Sequence, residues 1–389
     1  MKGLKKSLPI IIFMVILVAG CIGTAYGATI VAELPIGLPG VEYTLPSGNI
    51  PGSTKTIMNQ WQNIVLYTPT QKHEDTQSVI TELVESGEIV LPEVSNAELH
   101  EMFPIIEPDS LDKFLDENPE YLENGYQTLL IDKVDFLNTP TGIKTIHGDD
   151  VLAVDAINGI VIIGKDVVTE TGTSKVKLAI TNEKVKFDMS LVKDLSYWDI
   201  IEKHANENSN AVLAINASGY NWHESGRYAI LYGATKWHGD VYRKAQNVED
   251  LVCVDIDGNL TLGTPIEDAY NVVEGGPILV KSGELVIDPE SDENRRSALS
   301  AIGQDTDGRV MMIIASGGMH GSNLGATPYE LGQILHTYGA QNATTLSGGS
   351  RAIMYWNGRV VNETVGYDQS GVRLPNAFII KQYDLEAGV

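Results

Sequence analysis

The sequence predicts an α+β fold, a hairpin-rich and largely antiparallel sheet system with packed helices, preceded by an N-terminal transmembrane or signal helix. Three observations carry that expectation. After about Thr145 the chain breaks into short β runs separated by tight-turn dipeptides. Two helical patterns interrupt those runs. At the other end, an uncharged apolar stretch follows three lysines.

The hairpins come first. Val252–Ile256 and Leu260–Leu262 flank Asp257-Gly258, Ile278–Val280 and Leu285–Ile287 flank Ser282-Gly283, and Ala352–Trp356 and Val360–Val361 flank Asn357-Gly358. Such dipeptides supply the positive φ angles that a two-residue hairpin needs. One helix is expected from Leu191 to Asn206, with Leu191, Leu195, Trp198 and Ile201 near helical spacing. A second begins at Thr327, with Pro328 in its first turn and Glu330 placed to complete a capping box. Its apolar face is Leu331, Ile334, Leu335 and Tyr338, and Gly339 ends it. Glu330 is therefore read as a cap.

Upstream, Leu8 to Ala32 contains no charge and follows Lys2, Lys5 and Lys6. It is long enough to cross a hydrocarbon core of ~30 Å, with the positive flank inside. Retention as a signal anchor, cleavage near Ala25 to Ala28, and acylation of Cys21 within Val18-Ala19-Gly20-Cys21 are the three fates it allows. Each leaves the remainder on the extracytoplasmic face of the cell membrane. Leu34 to Thr54 is Pro- and Gly-rich and reads as a linker. Between Glu74 and Asp135 stand 17 Asp or Glu against Lys113 and Lys133, with short helical patterns such as Leu111, Phe114 and Leu115. The expected organisation is an anchor or signal segment over 1–32, a linker and acidic, partly helical juxtamembrane region over 33–144, and a folded domain over 145–383.

The formal net charge is −24 over 389 residues, and −27 once the three N-terminal lysines are set aside. That argues against nucleic acid as a partner, because affinity for a polyanion comes from clustered Lys and Arg. The two cysteines, Cys21 and Cys253, leave the domain no internal disulfide, and Cys253 between valines reads as a small core residue. No cofactor is expected. His223 and His320 could titrate near neutrality or bind a metal, but no ligand spacing supports a metal site.

Four polar or glycine-rich stretches fall at strand ends: Asn216-Ala217-Ser218-Gly219-Tyr220, Glu274-Gly275-Gly276-Pro277, Ser316 to Thr327, and Ser347-Gly348-Gly349-Ser350. Glycines there let main-chain amides approach an anionic ligand such as phosphate. Six collinear elements follow one pattern. Ala214 to Tyr220 is an Asn-Gly-Gly-Phe-type element, Gly275 to Val280 a Gly-Pro-hydrophobic strand, and Ser300 to Gly303 a Thr-Ala-hydrophobic-Gly element. Ser322 to Thr327 with Glu330-Leu331 and Tyr338-Gly339-Ala340 is a Ser-x-Gly-x-Thr helix pattern, Leu346 to Ser350 stands for Leu-Asp-Gly-Gly, and Arg373 to Ala377 for an Arg-to-Asn-Ala strand. In these elements, from about Val212 to Ile380, the chain resembles the phosphodiester glycosidase family, whose animal member uncovers mannose phosphate by removing N-acetylglucosamine.

The resemblance implies hydrolysis of a sugar from a sugar-1-phosphodiester, in a cell-surface or exopolysaccharide glycan given the extracytoplasmic placement. It also implies a carboxylate acting as nucleophile or as base for water. Asn216, Glu224, Glu274 and Ser347 are the catalytic candidates. Gly219, Gly276, His320, Asn323, Gly325, Thr327, Gly348, Gly349, Ser350, Arg351 and Arg373 are the substrate-binding candidates, with His238 and Asp240 nearby. The loops around Asn216, Asn323 and Gly348 are expected to meet in space. Four charges of the family pattern are replaced here, by Ser347, Leu299, Ser316 and Gly318. Arg295 and Arg296 lie three or four residues too early to restore one of them, whereas Arg351 could supply charge from another direction. Losing a general base costs ~10²–10⁴ in rate, so a catalytically silent glycan-binding relative is the alternative. A structural envelope protein with no affinity for sugar phosphate is a second.

Overall fold

A computed structural model of the protein describes residues 96–123, 130–132, 139–170, 172–182, 185–192, 199–206, 210–222, 229–244, 250–263, 267, 269–317, 324–365 and 371–381. The N-terminal apolar segment, the Pro/Gly-rich linker and the pattern at Val79 lie outside these residues. Among the described residues no helix is long and apolar enough to cross a membrane.

Every strand pairing in the described residues is antiparallel. A nine-stranded sheet runs in the order Leu130–Ile131, Asp150–Asp155, Ile160–Thr169, Gly172–Thr181, Val310–Ala315, Leu299–Gln304, Asn342–Thr345, Ile278–Lys281 and Glu284–Leu285. One five-stranded sheet is built from Asp240–Arg243, Thr235–Trp237, Asn271–Glu274, Leu251–Val254 and Leu260–Leu262. The other five-stranded sheet is built from Arg359–Val360, Met354–Trp356, Ala211–Asn216, Asn376–Lys381 and Lys186–Leu191. Tyr220–Trp222 and Ala229–Leu231 form a separate two-stranded ribbon.

The layers follow from the period-two alternation of strand side chains. Val161, Ile163, Met311 and Ile313 point to one face of the large sheet, where they meet helices α1 (Asn96–Met102), α2 (Pro108–Glu117) and, late in the chain, the helix Pro328–Thr337. Ile160, Ile162, Met312 and Ile314 point to the opposite face and pack on both five-stranded sheets, through residues such as Met354, Trp356, Phe378 and Val252. The third layer is closed by Ala214, Tyr355, Ala377 and Ile379, which pack on the short helix Ile201–Ala205. Leu111, Phe114 and Leu115 of α2 are all buried in the first core. Cys253 is buried in the strand Leu251–Val254.

Two of the expected hairpins have the expected two-residue turns: Ser282-Gly283 has φ of 53° and 79°, and Asn357-Gly358 has 41° and 89°. The third is longer. Strands Leu251–Val254 and Leu260–Leu262 do pair, but the Asp255 carboxylate accepts from the amides of Asp257 and Asn259 and so holds a five-residue turn around Asp257-Gly258. The helix at Thr327 forms as read. Thr327 Oγ1 accepts from the Glu330 amide at 3.2 Å, and Glu330 Oε2 accepts from the Thr327 amide at 2.8 Å. The helix expected over Leu191 to Asn206 is corrected. Leu191 ends the strand Lys186–Leu191, pairing with Asn376, and helix is confined among the described residues to Ile201–Ala205. Phe187, Met189 and Leu191 alternate inward at strand spacing, and that burial outweighs the helical spacing of the later residues.

Candidate active site

The glycine-rich stretches close on one another through main-chain hydrogen bonds. Asn216 ends the strand Ala211–Asn216 and is wholly buried; its Nδ2 donates to the Ser347 carbonyl at 2.7 Å and its Oδ1 accepts from the Ile353 amide at 3.1 Å. The Ser347 amide in turn donates to the Ala217 carbonyl at 3.3 Å, and Ser300 Oγ donates to the Ser347 carbonyl at 3.2 Å. Gly276, which precedes a cis peptide bond to Pro277, donates to the Thr345 carbonyl at 3.1 Å. Tyr232 donates to the Gly219 carbonyl at 2.7 Å. The stretches at 216–220, 232–233, 274–277 and 345–351 are thereby neighbours.

The third glycine loop reaches this assembly through Ser297-Ala298. Ala326 and Ser297 exchange hydrogen bonds of 2.8 and 3.0 Å, and the Gly349 amide donates to the Ala298 carbonyl at 2.8 Å. Gly325 has φ +75°, and a Cβ there would stand 2.1 Å from the Ser297 carbonyl, so only glycine fits. Asn323 and His320, together with Ser322 and Gly318, lie outside the described residues, as do His223 and Glu224.

Each remaining candidate has a definite setting. Arg351 leaves the turn Gly349–Arg351, donates from Nη2 to the Tyr220 carbonyl at 2.7 Å, and places its guanidinium 4.6 Å from the centre of the Tyr220 ring. Its Nε is shielded from solvent and has no hydrogen-bond partner. Tyr220 hydroxyl donates to the Arg373 carbonyl at 2.5 Å, while the Arg373 residue is exposed. Ser347, Gly348, Gly349 and Ser350 are half-buried. Thr327 is occupied by its helix cap.

Glu274, at the end of the strand Asn271–Glu274, is half-buried. Its Oε2 is shielded from solvent and has no hydrogen-bond partner. The carboxylate lies over Gly233, where φ is +62° and a Cβ would come within 1.9 Å of Oε1.

The two arginines nearest the replaced family charges are engaged elsewhere. Leu299 is buried, with 7% of its surface exposed. Arg296 binds Glu330 Oε1 at 2.5 Å and the Gly325 carbonyl at 2.8 Å, while Arg295 reaches only Asp292, at 3.7 Å on the surface. Ser316 is buried, and its Oγ accepts from the Glu363 amide. His238 lies 3.0 Å from Asp188 and stacks between Trp237 and Tyr270, and Asp240 is exposed on the strand Asp240–Arg243. Among the described residues no three His, Cys, Asp or Glu are grouped to hold a metal ion. Sequence reasoning did not single out Tyr232, a lone aromatic in no recognisable motif.

The family model for phosphodiester glycosidase matches residues 209–381. No curated protein matches the chain. Among solved structures, the catalytic domain of zebrafish N-acetylglucosamine-1-phosphodiester alpha-N-acetylglucosaminidase, auto-inhibited by its pro-peptide, is 16% identical, with 58% of this chain and 83% of that one covered at a TM-score of 0.47. A hypothetical protein from Synechocystis is 14% identical, with 60% of this chain and 64% of that one covered at a TM-score of 0.47. The match thus spans less than two thirds of the Synechocystis protein. Residues 209–381, which contain every loop of the assembly just described, are thus the part of this chain that is similar to the phosphodiester glycosidase family.

Proposed function

We propose that the protein hydrolyses a sugar from a sugar-1-phosphodiester at the anomeric carbon, acting on a cell-surface or exopolysaccharide glycan from the extracytoplasmic face of the membrane. The observation that carries this reading is the coincidence of the family match over 209–381 with the hydrogen-bonded assembly of Asn216, Gly276, Ser347 and Arg351. Water adds to the anomeric carbon and gives up one proton to the surrounding solvent, while the bond to the phosphate oxygen breaks with its electron pair leaving on the phosphate. Because that group is already an anion, stabilising it matters more than protonating it. Arg351 is the cation we assign to it, and Asn216 holds the Ser347 turn in place without touching the substrate. The extracytoplasmic placement rests on the apolar segment Leu8 to Ala32. The test is to incubate the full-length protein with an N-acetylglucosamine-1-phosphodiester and assay released sugar. Turnover that falls in an Arg351→Ala variant supports the reading, and absence of turnover at high enzyme overturns it.

A second reading, a glycan-binding relative without catalysis, is favoured by one observation. At the position of the family's arginine stands the buried Leu299, and the neighbouring Arg296 is held by Glu330 and Gly325. Retained binding of the same phosphodiester without any release of sugar would select it.

A further inference from the structure

The assembly holds a carboxylate with no partner beside an exposed aromatic ring. Glu274 makes no side-chain hydrogen bond or ion pair among the described residues, although its Oε2 is shielded from water. An ionised oxygen in that position is costly unless something donates to it. Other carboxylates of this fold show the contrast, since Asp188, Asp305 and Glu330 all have cationic partners. One residue before Gly233, on which the Glu274 carboxylate rests, stands Tyr232. It is 50% exposed, and its ring lies so close to Gly219 that a Cβ there would sit 2.9 Å from Cδ2. Two glycines therefore make room, Gly219 for the Tyr232 ring and Gly233 for the Glu274 carboxylate.

We propose that Tyr232 and Glu274 form the sugar subsite, the ring as a platform for the apolar C–H face of a pyranose and the carboxylate as acceptor for its hydroxyl groups. This deepens the glycosidase reading and rests on it for the placement of the phosphate. An aromatic ring with one open side and an adjacent anionic acceptor match the two chemistries of a pyranose, an apolar face and a rim of hydroxyl donors. Arg351 is bonded to Tyr220, and Tyr220 pairs with Leu231 next to Tyr232, so the cation and the sugar subsite flank the same two-stranded ribbon. A neutral sugar would be held by Tyr232 and Glu274 and its phosphate by Arg351.

The experiment is titration calorimetry of the full-length protein with N-acetylglucosamine-1-phosphate, glucose-1-phosphate, methyl α-glucoside and inorganic phosphate. Glu274→Gln, which keeps the shape of the side chain, is expected to weaken the sugar phosphates by about 10- to 100-fold. Tyr232→Ala is expected to weaken them by about 3- to 10-fold, with Tyr232→Phe restoring the loss. Inorganic phosphate should bind all of these variants alike. If the wild-type protein binds the sugar phosphates and both Glu274→Gln and Tyr232→Ala bind them equally well, the subsite is refuted and the glycosidase reading stands. If methyl α-glucoside binds in a manner sensitive to both substitutions while sugar phosphates gain nothing, the subsite stands and the glycosidase reading falls. No binding of any of the sugars overturns both.

Discussion

Two carboxylates of this molecule, each beside the strand Asn271–Glu274, are treated in opposite ways. Asp188 accepts from the Met189 amide at 2.7 Å and Asn271 Nδ2 at 2.8 Å, pairs with Lys381 at 2.7 Å, and lies 3.0 Å from His238 Nε2. Burial pushes its carboxyl up, but Lys381, the Met189 amide and Asn271 outweigh that and hold it below the usual range. Glu274, by contrast, is half-buried with one shielded oxygen left unmatched. A saturated carboxylate ties strands together, whereas an unmatched one leaves part of its hydrogen-bonding capacity unused within the fold. The polar inventory of a fold thus divides into groups already used and groups kept in reserve.

The sharpest way to break this contrast is at the saturated end. Asp188→Ala leaves Lys381 and Asn271 without their acceptor and should destabilise by about 3–4 kcal/mol. Urea denaturation reads this, and an unchanged midpoint would contradict the division. Asn216→Ala removes the bonds to Ser347 and Ile353 from a wholly buried position, for an expected loss of about 2–3 kcal/mol in the same assay.

His204 sharpens the comparison by pH. It is buried, with Ser190 Oγ 3.0 Å from Nδ1 and the Leu374 carbonyl 2.9 Å from Nε2. Burial lowers its pKa below 6.5, against the opposing pull of Leu374 and Asp199. The unfolded chain therefore binds the proton first as pH falls below 6.5, and stability is lost there by up to ~1.4 kcal/mol per pH unit. Denaturation midpoints of the wild type and a His204→Gln variant between pH 7 and pH 5 should diverge, the variant falling less steeply. The smallest effect is at the unmatched end: Glu274→Gln should move stability by no more than about 0.5 kcal/mol, even while it weakens sugar binding. A large loss on thermal denaturation would make Glu274 a structural group after all.

Local chemistry that is complete within a few residues could be read from the chain alone. The Thr327–Glu330 box and the turns at Ser282-Gly283 and Asn357-Gly358 carry their own hydrogen-bonding and φ requirements, and they form as expected. Leu191 could not be read that way, because its role depends on Asn376, far along the chain. The turn at Asp257-Gly258 misled for a nearer reason, since the Asp255 side chain competes with the two-residue geometry. At the site, the order of the glycine-rich elements pointed to the stretches around Asn216, Gly276 and Ser347, which hydrogen bonds make neighbours, while Asn323 of the third expected loop lies outside the described residues. What the chain could not reveal was which charges are spent: Arg296 on Glu330, or Glu274 on nothing. Tyr232 escaped notice because its meaning lies in the ring's contact with Gly219 across the ribbon.

The strand Asn376–Lys381 lies between Ala211–Asn216 and Lys186–Leu191, so one of the last described segments fills an interior position of its sheet. During synthesis, the two flanking strands must wait with open edges until residue 381 clears the ribosome, a long-range pairing of the slow kind. A stop codon anywhere before Asn376 would strip the wall that carries Asn216 of its keystone, and such a nascent chain is a substrate for chaperones and proteases rather than a shorter enzyme.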